Sequence, residues 1–142
     1  MVAQMLAPAA VLIAWSLVML AWTALTRFPA MKRAGIDLAK SEPGGRGQDL
    51  DGRIEARAQW KAHNYAHLME QPTLFYAVCG VIALTGTGNG VNAWIAWAYV
   101  ALRITHSVWQ ATVNKVSVRF LLFLGASLAL IALTLHAAMA VF

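Results

Sequence analysis

Residues 120–141 read FLLFLGASLALIALTLHAAMAV, and no charged side chain interrupts them. A helix crosses a bilayer with about 20 predominantly apolar residues, so this stretch has the length and the composition of one span. Residues 6–26 (LAPAAVLIAWSLVMLAWTALT) form a second such stretch, and no charge precedes them. Two further runs lie between. Residues 68–84 are apolar and reach full span length if the helix begins near Arg57; residues 91–113 are apolar but carry Arg103 and His106. The expected fold is therefore an all-α integral membrane protein. Its spans fall at about 6–26, 58–84, 91–113 and 119–141 of one domain, 1–142, with a polar loop at 27–57.

Composition supports this class over a soluble one. Of 142 residues, 60% are hydrophobic and 12% are charged, against roughly 45–50% apolar in soluble domains. After Glu70 the only charged residues are Arg103, Lys115 and Arg119. A soluble helical domain spreads charge along every helix to keep one face wet, and this chain does not. The net charge of +5 sits beside the apolar runs, which points to a membrane surface rather than to nucleic acid. The single cysteine, Cys79, excludes an intrachain disulfide and reads as a small buried hydrophobe. The first apolar run is too long for a secretory signal and lacks a basic leader, so it is expected to remain as a span.

Loop charge predicts orientation. Residues 27–57 hold Arg27, Lys32, Arg33, Lys40, Arg46, Arg53 and Arg57, and the turn before the last span holds Lys115. Residues 85–92 (TGTGNGVN) hold no charge. Both termini are thus expected outside the cytoplasm, with the first and third loops inside. Residues 41–47 (SEPGGRG) should be irregular, with helix on either side, at 29–40 and 50–63.

Ionisable groups within a span cost a few kcal/mol or more and face a partner or a cavity. Glu70, Arg103 and His106 are such groups. At 1.5 Å per residue they lie roughly 21, 18 and 22 Å from the outer surface, so a Glu70–Arg103 or a Glu70–His106 contact is geometrically open. His63, His67 and Glu70 share one helical stripe, with Asn64 at its edge; Arg103, His106 and Gln110 share another. Lys61, Lys115 and Arg119 should lie near the inner surface. The result is a polar, mostly cationic pocket in the inner half of the bundle. It suits a small anionic or zwitterionic ligand, because arginine grips carboxylates with two parallel bonds. Two other readings stand beside it. Glu70 and Arg103 neutralise each other and hold the helices in register in a non-enzymatic protein, or His63, His67 and Glu70 (HxxxHxxE) take a metal. The surrounding cations oppose the metal reading, and no metal site is expected. His136, near the outer end of the last span, reads as interfacial. No GxSxG, HExxH, CxxC or phosphate-loop pattern is present.

Residues 64–76 (NYAHLMEQPTLFY) and 103–120 (RITHSVWQATVNKVSVRF), with 26–37 (TRFPAMKRAGID), resemble the MAPEG superfamily, the membrane-associated proteins of eicosanoid and glutathione metabolism, and in particular a bacterial branch of it. The resemblance covers nearly the whole chain. It implies a homotrimer of four-helix subunits in a bacterial inner membrane, with glutathione as co-substrate bound between subunits near the cytoplasmic side. It also implies a glutathione-dependent transferase or peroxidase acting on lipophilic electrophiles. By the same resemblance Glu70 is the glutathione-contacting carboxylate and Arg103 the arginine of span three. His106 follows at the next turn, and Arg119 is the cation that favours thiolate over thiol. The family's pattern before the glutamate has arginine and asparagine where this chain has His63 and His67, and its later tyrosine is Gln110 here.

The orientation is open to a direct test. In a Cys79→Ser background, Gly88→Cys is expected to react with an impermeant thiol reagent added to intact cells, and Gly45→Cys is not. The opposite labelling pattern would reverse the orientation.

Overall fold

The computed structural model describes residues 2–142, so Met1 lies outside the described residues. Among these residues every regular element is helical, with no strand. Helix α1 spans Val2–Arg33, α2 Ala56–Leu68, α3 Gln71–Leu84, α4 Val91–Thr112 and α5 Val116–Val141. The expected four rods are present, but the second is broken into α2 and α3. Short connections at 85–90 and 113–115 return the chain, so successive rods run antiparallel. The loop at 34–55 and the α4–α5 turn lie at one end of the bundle, the 85–90 turn at the other.

The break has a local cause. Pro72 is the second residue of α3. It has no N–H to donate to Leu68, and its ring crowds that carbonyl, so α2 stops at Leu68. Glu70 bridges the gap in a non-helical conformation (φ −88°, ψ −100°), and Thr73 reattaches α3 to it through its hydroxyl, 2.7 Å from the Glu70 carbonyl. A helix interrupted here leaves the last carbonyls of α2 without their usual donors. One of them, His67, becomes part of the candidate site.

The distribution of polarity is the reverse of a soluble protein. Along α5 the exposed leucines and isoleucine Leu121, Leu124, Leu128, Ile131 and Leu135 recur at alternating steps of three and four residues, a continuous outward apolar stripe. Leu121 is 65% exposed and Leu128 59%. Helix α4 places Trp94, Trp97 and Val108 outward while burying Arg103, His106, Ser107 and Gln110. Two helices, α1 and α5, are long and apolar enough to cross a membrane. The core between the rods is formed by Met5, Leu12, Met19, Leu68, Phe75, Ile82, Tyr99 and Leu133. Phe75 and Tyr99 stack with ring centroids 4.2 Å apart.

At the loop end the structure departs from the expected boundaries. Helix α1 continues past residue 26 to Arg33, because Ala30 and Met31 find a second small core with Leu50, Ile54 and Ala58. Gly35, in the left-handed region at φ +70°, then turns the chain away. Of the helices expected at 29–40 and 50–63, residues 29–33 continue α1 and residues 56–63 open α2, while the stretch between holds 3₁₀ turns at Leu38–Lys40 and Gly47–Leu50. Gln59, almost fully buried, fastens this loop. Its carbonyl oxygen accepts from Arg27 Nε and Nη2 at 3.1 and 2.9 Å, and its amide donates to Gly47 O and to Asp51. A Cβ on Gly47 would lie 2.8 Å from Arg27 Nη1, so glycine there allows the guanidinium to approach.

Two hydrogen bonds, from Gln59 and from His63, hold the Asp51 carboxyl below its ordinary range. A depressed carboxylate stabilises the fold above its unfolded pKa, about 3.9, and that contribution is lost as pH falls through the folded value. Thermal unfolding in detergent should therefore lose stability on acidification below about pH 4, and Asp51→Asn should flatten that part of the profile. An unchanged profile would show that the Asp51 bonds carry no stability.

Candidate ligand site at a buried arginine

Arg103 is the largest fully buried side chain of the molecule. It reaches from the middle of α4 to the α2–α3 break. Its Nη2 donates to the His67 carbonyl at 3.3 Å, and its Nη1 lies 3.5 Å from His67 Nε2. His67 Nδ1 lies 2.9 Å from Glu70 Oε2. An arginine only donates, so Nε2 must accept and Nδ1–H must donate to the glutamate. The proton arrangement of the chain Glu70–His67–Arg103 follows from that constraint.

This corrects the expected pairing. Glu70 meets neither Arg103 nor His106; among the described residues its one ion pair is with His67. The depth estimate brought the two charges to one level, but the imidazole occupies the space between them. Glu70 has 67% of its side-chain surface exposed and lies on the rim, while Arg103 lies inside.

The other sequence candidates divide by location. His106 packs beside His67, centroids 5.1 Å apart, and Phe123 of α5 closes the cluster at 5.5 Å from His67. Asn64 is fully buried and donates to Ser107 Oγ at 2.6 Å; the same hydroxyl accepts from Trp15 Nε1 at 2.8 Å, which ties α1, α2 and α4 together. Gln110 continues the buried stripe of α4 two turns toward the loop end. His63 does not join the site: its Nε2 faces Asp51 at 2.9 Å in the loop. Arg119, in the first turn of α5, is half-buried and donates to Asn114 Oδ1 at 2.6 Å. Among the described residues no three His, Cys, Asp or Glu side chains converge as a metal set. His63 and His67 instead face different carboxylates.

Sequence reasoning missed several members. Ser107 sits one turn after Arg103 on the same face, a spacing that was available. Gln71 was hidden by the continuous-helix assumption; it accepts from Tyr99 Oη at 3.2 Å and donates to Ser127 Oγ at 2.8 Å. Asn114 holds the α4–α5 turn at φ +56°, a conformation asparagine tolerates.

Four buried polar atoms around this stripe have no hydrogen-bond partner: Asn64 Oδ1, Arg103 Nε, His106 Nδ1 and Gln110 Oε1. Each such atom costs about 1–3 kcal/mol when left unpaired. Together they leave a mixed set of unpaired donors and acceptors along one stripe, inside a body whose exterior is apolar.

The fold and this lining define a small helical membrane protein with a polar interior centred on a buried arginine. The chain belongs to the MAPEG family, whose model matches residues 5–139, nearly its whole length. Among curated proteins and among solved structures, no match to the chain was found.

The relay geometry predicts a conditional coupling. A Glu70→Gln, Arg103→Gln double-mutant cycle read by thermal unfolding in detergent should give a coupling near the low end of about 0.5–3 kcal/mol, because Glu70 is exposed. The coupling should vanish in a His67→Phe background. Coupling that survives His67→Phe would mean that the two charges interact without the imidazole.

Proposed function

We propose that this protein is a glutathione-dependent transferase of the membrane, acting on lipophilic electrophiles, with reduction of lipid hydroperoxides as the related reaction. We further propose that all four rods span a bacterial inner membrane with both termini outside, and that three copies assemble with the site between them. The observation that carries the reading is the buried cationic stripe with its unpaired donor and acceptors. Glutathione offers two carboxylates, an ammonium and two amides, and the residues present fit such a ligand. Arg103 and the amides of Asn64 and Gln110 complement the carboxylate and peptide groups, and Glu70 on the rim complements the ammonium. His67 stands where the family carries asparagine, and its Nε2 holds the Arg103 guanidinium that faces the ligand.

In this reading Arg119 does the chemical work. It lies at the loop end of α5, where water and membrane-dissolved substrate meet. Its positive charge lowers the pKa of a nearby thiol, whose proton leaves to water. The thiolate attacks the electrophilic carbon, the S–C bond forms, and the leaving group departs with the bonding pair. In peroxide reduction two such thiols become a disulfide while the hydroperoxide becomes an alcohol and water. The apolar exterior concentrates the second substrate by partitioning.

A second reading rests on a different feature. His67 links Glu70 to Arg103 and gives the guanidinium acceptors without any ligand, as a purely structural polar network would.

Glutathione at 100 times its dissociation constant should stabilise the protein by about 2.7 kcal/mol, seen as a raised melting temperature in detergent. Arg119→Ala should cut turnover by about two to three decades, the worth of one electrostatic stabiliser, while weakening glutathione binding less. Lys115→Ala should leave turnover near wild type. No stabilisation by millimolar glutathione would leave the structural reading standing alone.

A further inference from the structure

The cationic loop contains a second site, separate from the buried arginine and independent of the glutathione reading. We propose that the cleft between the end of α1 and the 34–55 loop binds the phosphate of an anionic phospholipid headgroup. The cleft encloses about 710 Å³. Four cations line it, Arg27, Lys40, Arg46 and Arg53, against the carboxylates of Asp37, Glu42 and Asp49. Two of those carboxylates are already engaged by the backbone: Asp37 accepts from Ala39 N at 3.0 Å and Asp49 from Arg46 N at 2.8 Å. Arg27 is fixed on Gln59. Among the described residues, Lys40, Arg46 and Arg53 take part in no ion pair. The cleft therefore presents three cations outside any ion pair, in a lining of four positive and three negative side chains, two of whose carboxylates are turned to backbone N–H groups.

Position and apolar lining select the lipid over free phosphate. The cleft opens where the uncharged stretch of α1 ends at Arg27, the level at which a span meets the headgroup layer. Phe28 and Leu38 line it as well and are 56% and 62% exposed. An inorganic anion gains nothing from these two side chains, whereas the glycerol and first acyl carbons of a phospholipid cover them. Basic pockets at this level recognise anionic headgroups by charge and by hydrogen bonds to phosphate oxygens.

The test uses the full-length protein, purified in detergent and titrated with phosphatidylglycerol, with phosphatidylcholine, or with inorganic phosphate. Melting temperature is the readout, and native mass spectrometry counts retained lipid. Phosphatidylglycerol should raise the melting temperature at concentrations where phosphatidylcholine does not. Arg46→Ala with Arg53→Ala should weaken that effect at least ten-fold. Lys32→Ala with Arg57→Ala removes equal charge from exposed positions outside the cleft and should leave the effect intact. Lys40→Ala, on the 3₁₀ turn of the cleft wall, is the second variant should the double variant fold poorly, and it should weaken the effect several-fold. Equal loss in the cleft and control double variants would reduce the site to diffuse surface charge and overturn it. A phosphatidylcholine response equal to that of phosphatidylglycerol would overturn it too. An equal shift from inorganic phosphate at the same concentration would remove the lipid as the ligand.

Discussion

A guanidinium with no exposed surface, enclosed by apolar helices, imposes the strictest constraint on this structure. Taking an ion out of water costs several kcal/mol even after relaxation, and Arg103 has no carboxylate in direct contact. What holds it is a backbone carbonyl and an imidazole, both from His67. That carbonyl lies at the break ahead of Pro72, where it has lost its helical donor and keeps a 3.4 Å contact from Glu70 N. The same break turns Glu70 to the rim, where it polarises His67 from the far side. One proline thus sets the acceptor, the relay and the position of the balancing charge.

The polar stripe of α4 extends this arrangement along the bundle axis. Asn64, Ser107 and Trp15 form a three-helix hydrogen-bonded junction one turn from Arg103. Buried polar groups of this kind specify one packing, because any slip of a helix by a turn leaves several of them unpaired. The exterior makes the opposite statement. The apolar stripe of α5 has no counterpart in a water-soluble molecule, where it would be an exposed patch large enough to aggregate. Apolar outside and cationic inside are two parts of one design, since a charge is retained in an apolar body only where it has partners or a task.

The loop end adds a rigid collar. Gln59 joins α1, the 3₁₀ turn at Gly47–Leu50 and Asp51 through four hydrogen bonds. The approach of Arg27 depends on the missing side chain of Gly47. This collar withdraws His63 from the interior stripe by giving it Asp51 as a partner. It also gives the cationic loop a defined shape instead of a flexible tail, and a cleft can exist there for that reason.

The sequence by itself determined the helical class, the apolar runs and the clustering of cations at one end. Each of these follows from composition and from the fixed rise of a helix, which are properties of local chain. It also determined that Arg103, His106 and Gln110 share a face, because α4 is an uninterrupted helix. Only the tertiary structure decided what Arg103 touches. The expected contact with Glu70 assumed one continuous helix through residues 58–84, and the break at Met69–Glu70 changes the direction in which Glu70 points. The destination of His63 was hidden for a related reason: its partner Asp51 comes from a loop whose path is set by Gln59 and by the small core under Met31. Periodicity gives the face of a helix but not the rotation that packing selects, and it carries no information across a loop.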